Sequence, residues 1–186
     1  MIEHHSSLPA AFNSTVGVPR LVLLVSPTCS VCLDGVRIVV TSLEELNARD
    51  VAVHVVWAGV LDDDSVDAAG AAAAMFPDDF GAMHYWDGEL QVSKAFHATL
   101  GLERWKRNVA WDLYLLYGAR SEWTDQPPLP SLWMQQLRLE DVPELDGSLL
   151  VEHLSELLNQ RGVVRWHAGV DRVAATDEPG TAVKRP

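Results

Sequence analysis

The sequence predicts an α/β fold: a central mixed β-sheet flanked by helices, with a helix and a strand inserted after the second strand. Three stretches carry that reading. Residues 20–26, RLVLLVS, form a short continuous apolar run bounded by turn-prone residues, as a strand buried on both faces requires. From Cys32 onward, Val36, Val39, Val40, Leu43 and Leu46 repeat with the i, i+3, i+4, i+7 rhythm of an amphipathic helix. The β-branched run VAVHVVW, residues 51–57, then supplies a second buried strand. A strand, a helix and a strand in so short a span imply a parallel crossover.

The remaining elements follow in order. Thr28 is the expected N-cap of the first helix. Asp62, Asp63 and Asp64 precede SVDAAGAAAAMF, which reads as a helix despite Gly70, and the acids are taken as a cap with charges favoured by the helix dipole in preference to metal ligands. AMHYW makes a short strand and DG a turn. ELQVSKAFHATLG makes a helix with Leu90, Val92, Phe96 and Leu100 inward and Gly101 as its stop. VAWDLYLLYG is the next strand, with Asp112 out of place inside it, and GARSEW reads as a tight reversal into an antiparallel partner ending at Trp123. Prolines 127, 128, 130 and 143 forbid long regular structure, leaving SLWMQQL a turn or two of helix. SLLVEHLSELLNQRG closes the fold as a helix, with Leu149, Leu150, Leu154, Leu157 and Leu158 on one stripe and Gly162 as stop. This divides the chain into an N-terminal extension (1–17), one domain (18–162) and a partly mobile tail (163–186), in which Trp166 is the residue able to dock.

Composition narrows the function classes. The 186 residues suit one domain, and 48% hydrophobic against 22% charged residues is a globular balance. No apolar run approaches the roughly 20 residues that cross a bilayer. A net charge of −12 repels phosphate backbones and anionic lipids, so neither nucleic acid nor a membrane is expected as a partner. The basic cluster Arg104, Lys106 and Arg107 is too small to alter that. The first residues carry no basic start and no signal-length apolar stretch, so a cytoplasmic location is expected. There, a close cysteine pair is more readily catalytic, redox-sensing or metal-binding than a structural staple.

Both cysteines of the chain lie in SPTCSVC, residues 26–32. Cys29 falls at the first turn of the predicted helix, facing unpaired N–H groups and the positive end of the dipole, an environment that favours the thiolate. Cys32, one turn on and turned inward, is spaced to attack a mixed disulfide formed on Cys29. Asp34 partly offsets the activation, which points to a reductase or exchange role over a strong oxidant. Three other readings stay open. The thiols are a buried structural pair; or they hold a soft metal such as Cu(I), Zn(II) or Hg(II) with His84, His97, His4 or His5; or the chain is a non-catalytic scaffold that binds a protein through some of its seven tryptophans.

CxxC where the first strand enters the first helix, followed by this order of elements over residues 18–160, resembles the thioredoxin-like superfamily. FPDDFGAMHYWDGELQVSKAFHATLGL and AWDLYLLYG are similar to its TlpA-type and peroxiredoxin-related branch. The resemblance implies a thiol-disulfide oxidoreductase needing no cofactor and acting on a protein or small-molecule disulfide. It also implies a groove beside Cys29 and Cys32 walled by Pro27, Thr28, Trp86, Ala110 and Trp111. The chain departs from the family at three places. NVAWDL lacks the cis-proline that shapes the groove and discourages metal capture. Leu23 stands where thioredoxin has a buried acid assisting proton transfer. Ser26 fits the Thr or Ser position of the peroxiredoxin signature, but Val22 occupies its proline position, which argues against a peroxidase.

Overall fold

The computed structural model of the chain describes residues 1–103 and 107–170, with side chains as far as residue 160. Arg104, Lys106, the Trp166 side chain and the 171–186 part of the expected tail lie outside the described residues. In chain order the elements are β1 (Ile2–His4), α1 (Leu8–Ser14), β2 (Arg20–Val25), α2 (Ser30–Glu45), β3 (Ala52–Ala58), α3 (Val66–Ala73), β4 (Met83–Asp87), α4 (Gln91–Thr99), β5 (Leu113–Tyr117), β6 (Leu132–Gln135) and α5 (Gly147–Val170). They build one six-stranded sheet in the order β1-β4-β3-β2-β5-β6. β1, β4, β3 and β2 run parallel, β5 is antiparallel to β2, and β6 is antiparallel to β5.

β2 lies inside the sheet, paired on both sides, and every one of its residues is buried. Leu21, Leu23 and Val25 face one core with Cys32, Val36, Val39 and Leu43 of α2, Ala69 and Ala72 of α3, and Leu150 and Leu154 of α5. Val22 and Leu24 face the other core with Leu8 and Phe12 of α1 and Val92 and Phe96 of α4. The alternation that a strand imposes thus sorts the helices onto two faces. The turns that end the helices are specified locally. Asn47 (φ 47°) and Gly101 (φ 64°) adopt the left-handed conformation just beyond α2 and α4. After α4, the Gly101 N–H donates to the Ala98 carbonyl and the Leu102 N–H to the His97 carbonyl, a Schellman closure.

Four expectations change. The segment 1–17, read as an extension, is built into the domain. β1 pairs in parallel with β4, and Leu8 and Phe12 of α1 are fully buried. Phe12 packs edge-on against Tyr117 and Trp123 at 5.1 and 5.8 Å, and the buried Arg20 guanidinium lies 4.4 Å above its ring. β5 starts later than the apolar run suggests, because Asp112 takes φ 56° and breaks the strand ahead of Leu113. The antiparallel partner of β5 is β6 and not GARSEW. GARSEW stays a loop, held where Arg20 Nη2 donates to the Gly118 and Ser121 carbonyls at 2.7 and 2.8 Å. Proline excludes helix and sheet hydrogen bonds only where it stands, and LWMQ, just past Pro130, is free to extend. Finally, α5 runs through Gly162 to Val170, since a glycine weakens a helix by only about 1 kcal/mol and does not by itself end it.

Phe12→Ala is expected to cost about 3–5 kcal/mol in urea denaturation, the range for losing a fully buried phenylalanine. A loss below about 1 kcal/mol would show that the N-terminal segment is peripheral to the domain.

Candidate active site

β2 ends at Val25, and Ser26, Pro27 and Thr28 turn the chain into α2, so both cysteines sit where the end of a buried strand meets the first turn of a helix. The N-cap is Cys29 itself, not Thr28. With φ −76° and ψ 115°, its Sγ accepts the Cys32 N–H at 3.5 Å. The sulfur thus stands at the N-terminal end of α2, against an amide of its first turn. Cys29 is half-buried, Cys32 is fully buried, and both are free thiols in hydrogen-bonding contact with each other.

Thr28 is drawn away from capping by Asp64. Asp64 Oδ1 accepts the Ser26 hydroxyl (2.8 Å), the Thr28 hydroxyl (2.6 Å) and the Thr28 N–H (3.2 Å). Its Oδ2 accepts the Val60 and Leu61 N–H groups at 2.9 and 2.8 Å. The cap of α3, expected from the acidic triplet, is Ser65, whose Oγ accepts the Ala68 N–H at 3.1 Å.

A polar network is buried beneath Cys32. Asp112, 2% exposed, accepts the Tyr114 hydroxyl at 2.9 Å and hydrogen-bonds the Cys32 thiol. The Gln136 amide nitrogen faces Asp112 Oδ1 (2.9 Å), Tyr114 Oη (2.8 Å) and the Val31 carbonyl (3.1 Å). This amide orientation leaves the single Tyr114 proton for Asp112. Gly35, one turn beyond Cys32, admits the network, because a Cβ there would collide with the Tyr114 hydroxyl and the Gln136 amide. Burial pushes the Asp112 carboxyl above the ordinary carboxylate range, while its bonds to Tyr114 and Cys32 pull the other way. Burial also pushes the Cys32 thiol up, and the charge of Asp112 adds to that, so Cys32 holds its proton at neutral pH.

The expected groove residues fare differently. Pro27 is buried in the loop and Thr28 is exposed beside Cys29. Trp111 is half-buried on the same face of the sheet as the cysteines, with the Arg107 guanidinium 4.9 Å from its ring centre. Trp86 is half-buried on that face too, with ring atoms 3.3 Å from where a Cβ on Gly59 would stand. Ala110 is no groove wall. It is fully buried in the core on the opposite face, and its N–H donates to the Ser93 carbonyl at 3.0 Å.

The histidines are not gathered at the thiols. His84 is stacked on Trp57, whose Nε1 donates to its Nδ1 at 3.3 Å, and burial lowers its pKa to about 4. His97 is buried on α4, whose Val92 and Phe96 pack on the other face, His4 Nδ1 accepts the Ser6 N–H, and His5 faces Gln91 and Asp87. Among the described residues no three of His, Cys, Asp and Glu converge to hold a metal ion. Sequence reasoning missed Tyr114 and Gln136, and gave Ser26 and Asp64 other roles. Asp112 did leave a signal, as a lone acid in an apolar run.

No family model and no curated protein matches the chain. Solved structures do. A hypothetical protein from Sinorhizobium meliloti is 16% identical, over 81% of this chain and 74% of its own, with a TM-score of 0.52. A thioredoxin-like protein solved in its oxidised form is 13% identical over 77% of this chain and 79% of its own, at 0.50. A secreted disulfide oxidoreductase of Mycobacterium tuberculosis is 12% identical over 77% of this chain and 85% of its own, at 0.49. Identities this low speak to architecture and not to chemistry. The mixed sheet, its helices on both faces and the CxxC at the end of β2 together give the chain a thioredoxin-like fold.

Proposed function

We propose that the chain is a thiol-disulfide oxidoreductase of reductase or exchange type, with Cys29 attacking and Cys32 resolving. The observation that carries this is the placement of the two sulfurs: Cys29 Sγ as N-cap acceptor of α2, and the Cys32 thiol buried against it and against Asp112. Cys29 is the half-buried member, so an incoming disulfide meets it first.

The steps balance without a cofactor. Cys29, as thiolate, attacks one sulfur of a substrate disulfide; the substrate S–S bond breaks, one thiolate leaves, and a mixed disulfide forms on Cys29. The Cys32 proton passes to Asp112, whose burial suits it to accept one. The freed Cys32 sulfur then attacks Cys29, the mixed disulfide breaks, the second substrate thiolate leaves, and Cys29 and Cys32 are joined. The substrate is reduced by two electrons and the dithiol is oxidised by two. A reducing, cytoplasmic setting would return the pair to thiols, and the partner is a protein or small-molecule disulfide.

In a disulfide-reduction assay, Cys29→Ser is expected to abolish turnover, whereas Cys32→Ser completes the first attack and accumulates a mixed disulfide visible by mass spectrometry. Iodoacetamide is expected to label Cys29 ahead of Cys32. Turnover by Cys29→Ser at the wild-type rate would remove the proposal.

Asp112→Asn is expected to slow resolution about a hundredfold with the first attack little changed. The same substitution has a pH signature in stability. The folded chain holds the Asp112 proton to higher pH than the unfolded chain, so stability falls as pH rises between the unfolded and folded values. Asp112→Asn lacks this titration, so its stability relative to wild type is expected to rise as pH goes from about 4 to 7 and to stay level below about pH 4. Urea midpoints of both proteins at the two pH values decide it.

A further inference from the structure

Asp64 is 36 residues from Thr28 and 38 from Ser26, yet its carboxylate holds both. Each of its oxygens has its own task. Oδ2 is fixed by the Val60 and Leu61 N–H groups, which anchors the carboxylate to the loop after β3. Oδ1, thus anchored, takes the Ser26 hydroxyl proton at 2.8 Å. A hydroxyl has one proton to give. With that proton committed, a lone pair of Ser26 Oγ is left toward Cys29, whose N–H it accepts at 3.2 Å. Ser26 is fully buried, so solvent is not there to replace either bond.

We propose that Asp64 is a positioning residue for Cys29, acting through the Ser26 hydroxyl. The inference rests on Cys29 being the attacking thiol. The Cys29 N–H precedes α2 and has no partner within the helix, so the direction Ser26 gives it fixes the backbone from which Sγ reaches the Cys32 amide. Without Asp64 the Ser26 proton has no assigned acceptor and the hydroxyl turns freely, which loosens the cap and the line of attack. A carboxylate suits this place because both its oxygens accept. An asparagine keeps one acceptor for Ser26 and sets its amide against the Val60 and Leu61 donors.

The test is a double-mutant cycle read on the single attack of Cys29 on 2,2′-dithiodipyridine, followed by pyridinethione release in a Cys32→Ser background. Ser26→Ala alone is expected to slow the attack about tenfold. In an Asp64→Ala chain the same Ser26→Ala change is expected to cost less than about twofold, because the relay is already open. Asp64→Asn is expected to restore part of the sensitivity to Ser26→Ala. Equal Ser26→Ala factors with and without Asp64 would overturn the inference, since two independent loop contacts would add. If Asp64→Ala does not fold, Ser26→Ala decides alone: a rate within twofold of the parent overturns the relay. Failure of the underlying reading looks different, as the parent would then release pyridinethione no faster than its Cys29→Ser derivative.

Discussion

The acceptance of the Cys32 amide by the Cys29 sulfur is the contact on which the site is organised. It makes a side chain that would otherwise be an ordinary surface thiol into the terminal acceptor of a 16-residue helix. Its geometry requires a rigid support on the strand side, and β2 provides one. Paired to β3 and β5 and buried along its whole length, β2 delivers Ser26 to a fixed point. The cap also explains why the two thiols differ in character. One lies at the mouth of a helix, where amides point outward, and the other lies behind it among Val36, Tyr114 and Met134.

Asp112 carries the local cost. A left-handed backbone is uncommon for a residue other than glycine, and a buried carboxyl is expensive unless its lone pairs are used. Tyr114, Gln136 and Cys32 use them. Such a network is worth more than its separate bonds and is the kind of arrangement that local strain supports at working sites. β2 offers no acid to the thiols, since Leu23 is apolar and buried, and the acid touching the inner thiol is Asp112, just ahead of β5.

Much of this was legible in the chain. RLVLLVS and VAVHVVW became β2 and β3, the Cys32 to Leu46 rhythm became α2, and the inserted helix and strand became α3 and β4. These segments are long or strongly periodic, so burial writes them into the sequence. β1, with three residues, is too short to show a period, and its place was set by pairing with β4. β6, with four, sits among prolines that masked it. The cysteines announced the site, but the groups around them did not, because hydrogen bonds between residues 38 apart, such as Ser26 with Asp64, leave no spacing signal. Asp112 was visible as a misfit and intelligible only once its neighbours were placed.

The pairing of Ile2–His4 with residues 84–86 has a consequence for how the chain is made. β1 finds its place only after β4 has followed it, so the nascent chain carries an unplaced strand through the synthesis of the segment between them. Until that strand arrives, the outer edge of β4 offers unpaired backbone groups to any neighbouring polypeptide. Translation order, and not only final stability, therefore governs how safely this sheet is assembled.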